Sequence, residues 1–151
     1  MSITHIKGNL FDTDIFILAH GCNTSGVMGA GIATTFKDCW PAMYEGYRAS
    51  CLQGKAHPGE FYLWFSTEGK QGLAVFNLYT QDLPGRHARL EWIEQAFRSM
   101  ALTIKTRSLG NQVAIPRIGA GIGGLKWADV EAAIERGIAE YPALEVVVYT
   151  L

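Results

Sequence analysis

The run Ile15-Phe16-Ile17-Leu18-Ala19 restricts this chain more than any other stretch. A strand sends successive side chains to opposite faces, so consecutive apolar residues demand cover on both. Such a strand lies inside a sheet with helices on each side. The chain supplies the helices. Leu90, Ile93, Ala96, Phe97, Met100, Ala101 and Ile104 recur at three- and four-residue spacing and predict one, closed near Gly110-Asn111. Residues 126–140 predict another, with Trp127, Val130, Ala133, Ile134 and Ile138 on one face. Further strands are expected at 3–7, 112–115 and 144–149. The stretches 61–66 and 73–79, joined by a polar turn at 67–72, predict a hairpin. This alternation predicts a single α/β domain over 1–151, a three-layer α/β/α sandwich around a mixed, mostly parallel sheet.

In such sheets ligands bind beyond the carboxyl ends of the strands. Two glycine-rich loops are expected there. The first, 20–33, reads His-Gly-Cys-Asn-Thr-Ser-Gly-Val-Met-Gly-Ala-Gly-Ile-Ala, with a helix starting near Gly31. The second, 116–127, holds Gly119, Gly121, Gly123 and Gly124 directly before a helix. Small residues let a backbone approach a ligand, and free N–H groups at a helix start favour anions. Neither loop has the Gly-Lys-Ser/Thr of a P-loop or the GxGxxG dinucleotide pattern.

Composition narrows the classes. At 48% hydrophobic and 18% charged residues, the chain is globular rather than disordered. Its net charge of −1 and the lack of a lysine or arginine block argue against a nucleic-acid footprint. A nucleotide stays open, because backbone amides hold phosphate without net basic charge. Three cysteines, Cys22, Cys39 and Cys51, without a CxxC pair argue against a disulfide framework or a zinc site. His5, His57 and His87 show no metal-like spacing, so no metal or cofactor is expected. The expected setting is a reducing cytoplasm, with no membrane span or signal peptide.

At the two loops the sequence resembles the macro-domain family, nearly end to end. Lys7-Gly8-Asn9-Leu10, His20-Gly21-Cys22-Asn23, the segment 28–33 and the segment 115–121 match its motifs in order. Within the family, the resemblance is to the branch of terminal ADP-ribose protein glycohydrolase and the yeast ADP-ribose 1″-phosphate phosphatase. It implies binding of ADP-ribose or ADP-ribose 1″-phosphate, with an ADP-ribosylated macromolecule as a further candidate partner; a monomer is expected. Carried over by position, Gly8, Asn9 and Leu10 would line an adenine pocket. Gly29, Ala30, Gly31 and Ile32 would approach the diphosphate and distal ribose. Gly119, Ala120, Gly121, Ile122 and Gly123 would hold the diphosphate from the other side. Gly21, Met28, Thr80, Gln81, Pro116, Arg117 and Ile118 complete the implied contacts, and Asn23 would bond the distal ribose. Tyr79 and Phe11 are further candidates for contact.

The glycohydrolase lysine aligns with Gln81 and its aspartate with Gly123, so that mechanism is not expected. The resemblance instead implies catalysis by His20 on a 1″-phosphate, oriented toward the ligand loops, with Asn23 positioning the ribose and Asp82 a candidate acidic partner. Hydrolysis of ADP-ribosylated protein, nucleic acid or an O-acyl ester, and non-catalytic binding, are the alternatives.

Overall fold

The computed structural model describes residues 3–67, 72–121 and 123–151. Within these residues the chain runs β1 (Ile3–Lys7), β2 (Ile17–Asn23), α1 (Ile32–Cys39), α2 (Pro41–Leu52), β3 (Phe61–Phe65), β4 (Ala74–Gln81), α3 (Leu90–Thr106), β5 (Gln112–Ile115), α4 (Trp127–Gly137) and β6 (Glu145–Thr150). The strands form one sheet in the order β1-β6-β5-β2-β4-β3. Every pairing is parallel except that of β3 with β4. The hairpin strands are therefore present, while residues 68–71 of the expected turn lie outside the described residues.

The two faces bury different sets of side chains. On one face Ile17, Ala19, Phe76, Leu78, Val113, Ile115, Val146 and Val148 meet α3 and α4. The expected stripe of α3 is the buried one, with Ile93, Ala96, Phe97, Met100, Ala101 and Ile104 inward. On the other face Leu18, Cys22, Val75, Tyr79 and Ala114 pack against Phe36 of α1 and Met43 and Tyr47 of α2. The sandwich is thus three-layered.

One boundary differs from the sequence reading. The strand begins at Ile17, Phe16 is 52% exposed, and His20-Gly21-Cys22-Asn23 belong to β2 rather than to the loop. The reason lies at Gly21. A Cβ there would stand 2.8 Å from Thr80 Oγ1 and 3.1 Å from Ile118 Cγ2. This glycine allows close packing inside the sheet and does not mark a turn.

The parallel strands bring the loops after β2, β4 and β5 to one end. β4 and β5 flank β2 on opposite sides, and the chain crosses from one to the other through α3. That reversal opens a crevice above the carboxyl end of β2.

Candidate functional site

The crevice is a cavity of about 520 Å³, within the range of small-molecule sites. The end of β2 contributes Asn23, the first loop Val27, Met28, Gly29, Ala30 and Gly31, and the start of α1 Ile32 and Ala33. β4 and the loop after it contribute Thr80, Gln81, Pro84 and Gly85. Pro116, Arg117, Ile118, Gly119, Gly121 and Gly123 come from the second loop, and Gly21 and Cys22 form the floor. Val27 and Ala33 lie within the expected first loop without being assigned a contact, while Pro84 and Gly85 carry no sequence signal.

Among the described lining residues there is one cationic side chain, Arg117, and no carboxylate. Such a lining favours an anion. Gly31 is the N-cap of α1 at φ 62° and ψ −151°, a conformation suited to glycine, and makes no side-chain capping bond. The helix start therefore keeps N–H groups for a ligand. In the second loop, turn bonds use the N–H groups of Ile118, Ala120, Gly124 and Leu125. The N–H groups of Gly119, Gly121 and Gly123, the three lining glycines, take no part in those turns.

Asn23 organises the first loop. Its Oδ1 accepts the N–H of Ser25 at 3.0 Å and of Val27 at 3.3 Å, and its Nδ2 donates to Val27 O at 2.9 Å. Gln81 holds the loop after β4, donating from Nε2 to Leu83 O at 2.6 Å and to Gly85 O at 3.0 Å. The Ser25 hydroxyl then ties the two loops together by donating to Asp82 O at 2.7 Å.

His20 contradicts its expected orientation. Its side chain is fully buried, stacked on Phe36 at 3.8 Å between ring centroids, and absent from the cavity wall. Nε2 lies 2.6 Å from Asn77 Oδ1, while Asn77 Nδ2 donates to Tyr62 O. With Oδ1 as acceptor, the imidazole proton sits on Nε2. Burial pulls the imidazole pKa from 6.5 down to about 4, against the opposing bond from Asn77. The ring is neutral at neutral pH and is enclosed between the sheet and α1, outside the cavity wall.

Asp82 also departs from expectation. It does not line the cavity, and its carboxylate accepts the N–H of Leu83 at 2.9 Å. Cys22 does line the cavity, yet burial pushes its thiol well above the usual range, which leaves it protonated and unreactive.

Of the adenine residues, Gly8, Asn9 and Leu10 lie after β1, outside this cavity's wall. Asn9 Oδ1 caps the short turn 10–12 by accepting from Phe11 N at 2.9 Å. Tyr79 is buried with its hydroxyl toward Ser50, and Phe11 packs on Phe36 and Trp40, so neither lines the cavity. Ala120 lies off the wall, and Ile122 lies outside the described residues.

Gly123 shows why no acid stands there. A Cβ would meet Gly119 O at 2.8 Å, Gly119 Cα at 2.9 Å and Ala88 Cβ at 2.9 Å. The second loop folds back on itself too tightly for a side chain.

The family model of the macro domain matches residues 19–134, a span that includes both glycine loops from His20 to Trp127. The chain is a macro domain. It is similar to a DNA ADP-ribosyl glycohydrolase of Thermus aquaticus, with 30% identity over 95% of this chain and 40% of that protein. The chain thus spans about two fifths of the length of the curated glycohydrolases it first matches. It is also similar to an ADP-ribose 1″-phosphate phosphatase of Meyerozyma guilliermondii, with 30% identity over 89% of this chain and 93% of that protein. Among solved structures, the macrodomain of Mycobacterium tuberculosis DarG superposes with a TM-score of 0.87. That match has 28% identity and covers 99% of this macro domain and 97% of the other chain.

Proposed function

We propose that this macro domain binds ADP-ribose between its two glycine loops and hydrolyses ADP-ribose 1″-phosphate. The observation that carries the binding reading is the carboxylate-free lining, with glycine N–H groups on both sides and Arg117 at the wall. Two amide-rich loops facing each other can hold a diphosphate without lysines. In this reading Asn23, which ends β2 and lines the cavity, bonds the distal ribose.

One observation favours phosphate release over glycosidic cleavage. Gln81 spends its amide on Leu83 O and Gly85 O and offers no amine nucleophile. With His20 buried and the Cys22 thiol protonated, water is the attacking group. It adds to phosphorus, the bond from phosphorus to the ribose oxygen breaks, a proton of the water passes to that oxygen, and ADP-ribose and inorganic phosphate leave. The cavity's part is to orient the ribose and to donate N–H groups to charge on the phosphoryl oxygens.

A second reading has its own support. The described lining holds no histidine, aspartate or glutamate, as expected of a binder that does not turn its ligand over. Incubation with ADP-ribose 1″-phosphate, O-acetyl-ADP-ribose and mono-ADP-ribosylated protein separates the readings. Phosphate release from the first alone is expected. Binding of ADP-ribose without turnover of any of them selects the second reading.

A further inference from the structure

The first loop is held from behind by α2. Tyr44, Tyr47 and Cys51 lie three and four residues apart, on one face of that helix. Tyr44 donates its hydroxyl to Gly26 O at 3.3 Å. A Cβ on Gly26 would lie 3.4 Å from Cys51 Cβ, so the loop backbone rests against the helix. Tyr47 is fully buried and absent from the cavity wall. Its hydroxyl proton is shared between Asn23 O at 2.7 Å and Asn23 Oδ1 at 2.9 Å.

These bonds fix the Asn23 amide. Oδ1 faces three donors: Tyr47 Oη and the N–H groups of Ser25 and Val27. A flipped amide would aim its NH₂ group at all three. In the observed orientation Nδ2 spends one hydrogen on Val27 O, and its second remains for the cavity that Asn23 lines.

We infer that Tyr47 is a positioning residue that locks the Asn23 amide so that Nδ2 donates to a hydroxyl of the distal ribose. This rests on the proposed ADP-ribose reading. Tyr47 does not touch the ligand, so its effect is confined to ligands that possess the distal ribose. ADP, which ends at the diphosphate, does not sense it.

The test is calorimetric titration of the wild type and Tyr47→Phe with ADP-ribose and with ADP. Tyr47→Phe is expected to weaken ADP-ribose binding about fivefold, the scale of one hydrogen bond, and to leave ADP binding unchanged. Equal losses for both ligands, or no loss for either, overturn the inference while leaving ADP-ribose binding intact. Failure of the wild type to bind ADP-ribose overturns the underlying reading as well. A measurement on the wild type serves if Tyr47→Phe does not fold. The Asn23 side-chain amide signals in ¹⁵N NMR are expected to shift with ADP-ribose and not with ADP. Signals that ignore ADP-ribose, or respond equally to both ligands, contradict the inference.

Discussion

The two glycine loops face each other across one cavity but are built on opposite principles. The first is held by side chains. Asn23 bonds three loop groups, Ser25 and Thr24 reach Asp82 O, and Tyr44 and Tyr47 brace it from α2. The second is held by its own backbone, through turns from Ile118 to Pro116, Ala120 to Arg117, Gly124 to Gly121 and Leu125 to Gly119. A loop stitched by side chains fails when one hub is removed. A backbone-held loop fails when an atom is added.

Substitutions at the hubs test that contrast. Asn23→Ala removes the hub of the first loop and leaves the N–H groups of Ser25 and Val27, and Val27 O, without their side-chain partner. A loss of about 2–4 kcal/mol in denaturant unfolding is expected. A loss below about 1 kcal/mol would place the loop's stability elsewhere.

Acid should weaken the sheet that carries the first loop. His20 is neutral in both folded and unfolded chains above pH 6.5. Between 6.5 and about 4 the unfolded chain binds a proton that the native chain refuses. Stability therefore falls as pH drops through that window, by about 3 kcal/mol from this residue. Unfolding curves across the window should show this slope, and His20→Gln should remove that part of it. An unaltered slope in the variant contradicts the burial argument.

Addition tests the second loop. Gly123→Ala forces a methyl against Gly119 O and Ala88 Cβ, at a cost of about 1–3 kcal/mol and with weaker ADP-ribose binding. Gly29→Ala in the first loop is the control. Its Cβ meets only Val27 Cγ1, at an ordinary 3.6 Å, so its melting temperature should match the wild type. Equal destabilisation by both alanines would erase the distinction.

The fold was legible where periodicity carries it. The three- and four-residue spacing in α3 and the strand–helix alternation were enough to predict the three layers. The cavity was legible through its glycines, because close backbone approach leaves a trace in composition. What escaped was set by distant partners. His20 reads as a reactive histidine until Asn77, on the neighbouring strand, and Phe36, on α1, enclose it. Gly21 reads as a loop residue until Thr80 and Ile118 show that it serves sheet packing. The tyrosines of α2 bond loop carbonyls and the Asn23 amide, contacts with no sequence pattern of their own.

The cavity between the loops is the proposed ADP-ribose site. An NMR titration of the ¹⁵N-labelled wild type with ADP-ribose gives occupancy and location together. Saturable shifts are expected at Asn23 to Ala33, at Thr80 to Gly85 and at Gly119, Gly121 and Gly123. An absence of shifts, or shifts concentrated away from both loops, would contradict it.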